Sequence, residues 1–227
     1  MKKFISFIIV ILIFITATAC TDQMQLSFNN NLSEIRRNLF AGSNEHVYVT
    51  FMTGLREENY VLDGTSTKKI EFGVVAFSIL KSENLYLNNV KYKLIINDVP
   101  YEGELARNPY DFTYVADIQK VVEDDAVISA EIISDKIDCK LDLTNISNDW
   151  GISYNNAINL GYKAMKSQIK NVSKTKLLDG EVYIKILYDT SKPSSEYFWY
   201  VGVVFKDGKN MSVILDINTG KVLSRKD

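Results

Sequence analysis

The chain has 227 residues, of which 46% are hydrophobic and 24% charged, with a formal net charge of −2. It holds one histidine and two cysteines. The near-neutral balance gives no excess of positive charge to release counterions from a polyanion, which excludes nucleic acid as the expected partner. The scarcity of His and Cys leaves little material for zinc sites, Cys–His pairs or Ser-His-Asp triads.

Lys2 and Lys3 precede an unbroken apolar run from Phe4 to Ile15, which meets Thr16-Ala17-Thr18-Ala19-Cys20. A basic start, a short apolar stretch and small residues before a cut site make a secretory signal. The apolar stretch falls short of the ~20 residues that a spanning helix needs. The segment resembles bacterial lipoprotein signal peptides, whose lipobox ends small-small-Cys, with Ala17 standing where that family usually has Leu or Val. The resemblance implies cleavage before Cys20, acylation of its thiol and a lipid anchor on the extracytoplasmic side of the cell membrane. Loss of residues 1–19 removes Lys2 and Lys3 from the 26 basic residues and none of the 28 acidic ones, leaving a net charge near −4.

Residues 21–31 are polar and end in Asn29-Asn30-Asn31, the pattern of a short tether. Leu32, Ile35 and Leu39 suit either a brief helix opened by Ser33 and stopped by Gly42 or a first strand. His46 opens a run of period two, and a strand-end surface position is the expectation for it. From there to Leu143 alternation dominates: Val47-Val49-Phe51, Ile70-Phe72-Val74, Val90-Tyr92-Leu94-Ile96, Phe112-Tyr114-Ala116-Ile118 and Ala126-Ile128-Ala130-Ile132. Asn97-Asp98 marks a hairpin. Asp63-Gly64-Thr65 is a turn without the Gly-Lys-Ser/Thr of a phosphate loop. Cys139 falls on the inward face of the last run, as a small hydrophobe. Glu123-Asp124-Asp125 lacks the spacing and glycine of an EF-hand and is expected as an exposed loop.

After Asp149-Trp150-Gly151 the period changes. Ser153 is a helix N-cap, and Tyr154, Ala157, Ile158, Gly161, Met165 and Ile169 recur at spacings of three and four. Strands follow at Val182–Tyr188, Glu196–Lys206 and Met211–Ile217, with Asp207-Gly208 as a hairpin turn and a short last strand at Val222-Leu223. Tyr197 to Tyr200 place aromatics on both faces of one strand, with cover inside the chain expected for them.

The expected fold is therefore α+β: an N-terminal antiparallel β-sandwich followed by a helix-plus-antiparallel-sheet unit. The division is signal peptide 1–19, tether and entry segment 20–45, sandwich-like domain 46–149 and a C-terminal domain 150–227. The last unit resembles a PepSY-like domain. Its matching residues are Trp199-Tyr200-Val201, Asp207-Gly208 and Leu215-Asp216-Ile217-Asn218-Thr219-Gly220-Lys221-Val222-Leu223, within residues 152–224. The resemblance implies interaction rather than catalysis, with an envelope protein or a secreted peptidase as partner. Asp216 has a structural reading, as the acceptor for backbone N–H groups in the following turn. The functional expectation is a non-enzymatic, lipid-anchored envelope protein without cofactor, metal or catalytic residues, its one named site being the acylated Cys20. The alternative is a solute- or glycan-binding lipoprotein with an exposed aromatic surface. A hydrolase would need carboxylates gathered in one cleft.

Overall fold

The computed structural model describes residues 22–80, 86–110, 113–173, 175–189, 193 and 196–226. The described chain begins with helix α1 (Gln23–Asn30), followed by β1 (Leu32–Ser43), β2 (Val47–Glu57), β3 (Lys69–Ile79), β4 (Lys91–Ile96), β5 (Val99–Glu104), β6 (Ala106–Arg107), β7 (Tyr114–Ile118), β8 (Ile128–Ile133) and β9 (Asp138–Asn145). A 3-10 turn (Ile146–Asp149) leads into helix α2 (Tyr154–Val172), and β10 (Gly180–Leu187), β11 (Phe198–Phe205), β12 (Asn210–Asp216) and β13 (Val222–Lys226) complete the fold.

The architecture corrects the α+β expectation. The protein is mostly β, with 49% strand, and its strands join in one continuous, nearly barrel-like sheet rather than a sandwich followed by a PepSY-like helix-plus-sheet unit. The main path runs β13-β12-β11-β10-β1-β2-β3-β7-β6. The joint is β1, which pairs parallel with β10 (Leu32 with Val182, Ile35 with Ile184) and antiparallel with β2. Residues 32–43 left helix and strand open in sequence; the strand form wins because both of its edges find partners. A second ladder, β5-β4-β8-β9, curls back and rejoins β1 through Phe40–Asn145 and Ala41–Thr144.

Because successive strand residues point to opposite faces, β1 to β3 serve two cores. Leu39, Met52 and Phe72 face the helices, with Val182, Ile184, Trp199, Val201, Val213 and Leu215. Phe40, Phe51 and Phe77 face the second ladder, with Leu94, Ala130, Ile132 and Leu143.

The segment expected as a tether is helical instead. Asp22 caps α1, accepting the Met24 N–H at 3.2 Å. Met24 and Phe28, four apart and so on one face, are buried, and the Phe28 ring lies 5.3 Å from that of Tyr162 on α2. Full burial of such a side chain favours the docked helix by about 1.5–3 kcal/mol. In α2, Ser153 caps as expected, accepting the Asn156 N–H, and Ala157, Ile158, Gly161, Tyr162, Met165 and Ile169 form the buried face. Asn97 and Asp98 both take positive φ (47° and 67°), the conformation of a two-residue hairpin that joins β4 to β5.

Candidate functional site

The residues singled out in the sequence are dispersed. Cys20 lies outside the described residues. His46 sits in the exposed turn between β1 and β2, its N–H donated to Asn44 Oδ1 at 2.8 Å. Cys139 is half-buried on β9 opposite Ile132, at the edge of the second core, and burial pushes its thiol up. Glu123-Asp124-Asp125 forms a turn whose Asp124 carbonyl accepts the side-chain amides of Asn145 and Asn148. Among the described residues, no group of three or more His, Cys, Asp or Glu is placed to hold a metal.

Asp216 has the geometry of its structural reading. Its Oδ1 accepts the Asn218 N–H (3.1 Å), the Thr219 N–H (2.7 Å) and the Thr219 hydroxyl (2.7 Å). These bonds, led by the Thr219 hydroxyl, hold its carboxyl below the usual range. Gly220 closes the turn at φ +71°, where L side chains are strained.

The aromatic run on β11 divides between two faces. Trp199 is buried toward the helices, donates Nε1–H to the Ile152 carbonyl (3.1 Å) and meets Trp150 edge-on at 5.5 Å. Tyr197 stacks between Trp150 and Tyr188. Phe198 and Tyr200 point to the other face. Strand pairing aligns them in rows with their neighbours: Leu187, Phe198 and Asp216; Lys185, Tyr200 and Ile214; Tyr183, Gly202 and Ser212. Gly202 gives the Tyr200 ring its resting place, since a Cβ there would lie 2.6 Å from that ring. Leu187, Phe198, Tyr200, Val204 and Ile214 all remain partly exposed on this face.

One border of the face is formed by the β2–β3 loop, residues 58–68, and a seam of buried polar groups holds that loop in place. Glu57 and Glu181 are 1% and 0% exposed, and both contact the Ser33 hydroxyl, at 2.9 and 3.2 Å. The loop supplies the remaining donors: the Gly64 N–H reaches Glu181 Oε1 at 3.0 Å and the Thr67 N–H reaches Glu57 Oε1. Ser66 Oγ and Lys69 Nζ both donate to the Leu32 carbonyl. The Tyr60 hydroxyl donates to Glu34 Oε2 at 2.7 Å and receives a bond from Lys185 Nζ at 2.8 Å. Its ring meets that of Tyr183 edge-on at 6.1 Å.

Burial pushes the Glu34 carboxyl up, but Arg36 and Lys185 beside it, with hydrogen bonds from Arg36 and Tyr60, outweigh this and hold it below the usual range. Burial and the Glu34 charge raise the Tyr60 phenol. Each carboxylate of the seam is thus engaged in fastening the loop rather than aimed at open solvent. The outcome is a rigid support for exposed apolar side chains: Tyr60, Val61 and Leu62 are 41%, 55% and 60% exposed. The sequence reading assigns these three residues nothing, its turn beginning at Asp63. The signal was the unbroken apolar triplet Tyr60-Val61-Leu62 between two strands, together with Glu57 and Glu181 standing inside otherwise apolar β patterns.

Two cavities lie elsewhere. One of about 470 Å³ is walled by Val172, Ser173, Leu177, Leu178, Asp179 and Phe205, and one of about 480 Å³ by charged residues of β4, β5 and β8 around Gly103. Phe198, Tyr200 and Tyr60 belong to neither. No protein-family model matches the chain, and no curated protein or solved structure matches it either.

Proposed function

We propose that this protein is a lipid-anchored, non-enzymatic envelope protein that binds another protein through the open face of β10–β12 and the adjoining β2–β3 loop. The anchor follows from the lipobox-like Thr16–Cys20 segment, with Cys20 as the acylated residue. The single observation that supports binding is the set of partly exposed side chains Phe198, Tyr200 and Ile214 on this face, together with exposed Tyr60, Val61 and Leu62 on the loop that borders it. Partly exposed aromatics on a rigid sheet, bordered by a fastened loop, offer contact area with little ordering cost. The expectation of a peptidase partner came with the PepSY-like resemblance; once that arrangement is corrected, the proposed partner is an envelope protein of unspecified kind. A solute or glycan site has less support, since the open aromatics lie outside both cavities.

Cross-linking and pull-down from intact cells is the test, comparing the wild type, a Leu62→Asp/Tyr200→Asp variant and an unrelated lipoprotein. The wild type should enrich a protein that the variant loses, while the variant retains its circular dichroism spectrum. Equal recovery with all three baits rules the reading out.

A further inference from the structure

The start of the folded chain constrains how an acylated protein would sit. From Cys20 to Asp22 there are two peptide units, which reach at most about 7 Å. Asp22 is not free to move. It accepts the Tyr162 hydroxyl at 2.8 Å and pairs with Lys166 at 2.7 Å, both from α2, while capping α1. Within that reach of Asp22, acyl chains on Cys20 would leave the molecule beside the middle of α2.

The surface at that point has a distinct charge. Neither α1 nor α2 contains an Asp or Glu, and the charged residues within them are Lys163, Lys166 and Lys170. Their spacings of three and four place them along one stripe of α2. That stripe flanks α1, where Gln25 donates to Asn159 and Phe28 packs on Tyr162. Lys163 and Lys170 are exposed, as are the neighbouring Ser167 and Asn171. Leu26 of α1 is 52% exposed alongside. A cationic stripe with an apolar side chain next to it, on a chain of net negative charge, complements an anionic leaflet.

We propose that the helix layer is the membrane-facing side of this protein, with Lys163 and Lys170, beside the Asp22–Lys166 pair, meeting anionic lipid headgroups. The proposal rests on the acylation of Cys20 put forward above. The helices cover one face of the sheet, so the opposite face of β10–β12, with Phe198 and Tyr200, is turned away from the bilayer and toward incoming proteins.

The test uses the mature, acylated protein, its N-terminal peptide checked by mass spectrometry. It is reconstituted in vesicles of phosphatidylcholine with phosphatidylglycerol, or of phosphatidylcholine alone. In a Cys139→Ala background, a spin label is placed on the helix layer (Ser167→Cys) or on the opposite face (Ser212→Cys). Paramagnetic lipids carrying the relaxing agent at the headgroup should relax the Ser167→Cys label several-fold more than the Ser212→Cys label. Lys163→Glu/Lys170→Glu, which leaves the Asp22–Lys166 pair alone, should reduce that contrast in phosphatidylglycerol vesicles. Equal relaxation of both labels on protein shown to be acylated overturns the orientation and leaves the anchor standing. A contrast unchanged by the double charge reversal overturns the headgroup contact. An unmodified Cys20 overturns the anchor and the orientation together.

Discussion

Gly161 marks the closest approach of α2 to the sheet. A Cβ at this position would stand 2.5 Å from Val201 Cγ1 and 2.6 Å from Val201 Cβ. Val201 is fully buried on β11 and cannot swing aside, so Gly161→Ala forces helix and sheet apart. Overpacking of this kind costs about 1–3 kcal/mol, outweighing the ~1 kcal/mol that Ala gains over Gly in a helix interior. Urea denaturation should show a lower midpoint for Gly161→Ala, and an unchanged or higher midpoint would contradict the packing. Cys20 belongs to the same scale. Cys20→Ala removes the thiol to which the acyl chains are proposed to attach, so metabolic labelling with a fatty-acid analogue should fall to background. Persistent labelling of that variant would place the lipid elsewhere.

At the scale of elements, α1 is held by the Asp22–Lys166 ion pair, the Phe28–Tyr162 ring contact, its own cap, and hydrogen bonds that link Tyr162 to Asp22, Gln25 to Asn159 and the Leu178 N–H to Ser27. Hydrogen bonds from Lys166 and Tyr162 lower the Asp22 carboxyl from an ordinary 3.8 to about 2. A folded value below the unfolded one means that the stabilisation is complete above the unfolded value and disappears as pH falls through the folded one. The grip of α1 on α2 should therefore be constant above pH ~4 and weaken toward pH ~2. Ring resonances of Phe28 and Tyr162 followed by NMR across that range would report it, and Asp22→Asn should abolish the pH dependence. A transition centred near an unperturbed carboxyl would refute the assignment. This helix also shows where sequence legibility ended. α2 was legible because six core positions repeat over 19 residues and Ser153 announces its start. α1 has eight residues and two buried side chains, Met24 and Phe28, too few for a period to stand out against Gln, Ser and Asn. The strands were legible by alternation, and the Asn97-Asp98 hairpin by its turn residues. The pairing of β1 with β10 was not, since alternation shows which side chains turn inward but not which distant strand lies alongside. The candidate surface was hidden for the same reason: Tyr60 meets Tyr183, and Tyr200 comes to lie one row away, only once the β2–β3 loop, β10 and β11 are brought together.

At the scale of the whole molecule, the continuous sheet makes the two cores mechanically dependent. β1, β2 and β3 supply Leu39, Met52 and Phe72 to one core and Phe40, Phe51 and Phe77 to the other. Neither core can lose these strands without exposing the other, so both should unfold together. The chain carries its own probes. Both tryptophans, Trp150 and Trp199, belong to the helix-side core or pack against it, and Cys139 packs against the second core. In a Cys20→Ala background, tryptophan fluorescence and Cys139 alkylation can be followed across the same urea series. Partial burial pushes the thiol up and covers part of it in the folded protein, so alkylation should accelerate where β9 opens. The two midpoints should coincide. The β1–β10 joint gives a second handle: Ser33→Val strips buried Glu57 and Glu181 of their common hydroxyl, leaving Glu57 Oε1 with the Thr67 N–H and Glu181 Oε1 with the Gly64 N–H, at a cost of about 1–3 kcal/mol. With the sheet acting as one unit, that substitution should lower the tryptophan and the Cys139 midpoints equally, although Cys139 lies in the other core. A shift confined to the tryptophan signal would show that the joint at β1 does not couple the two cores.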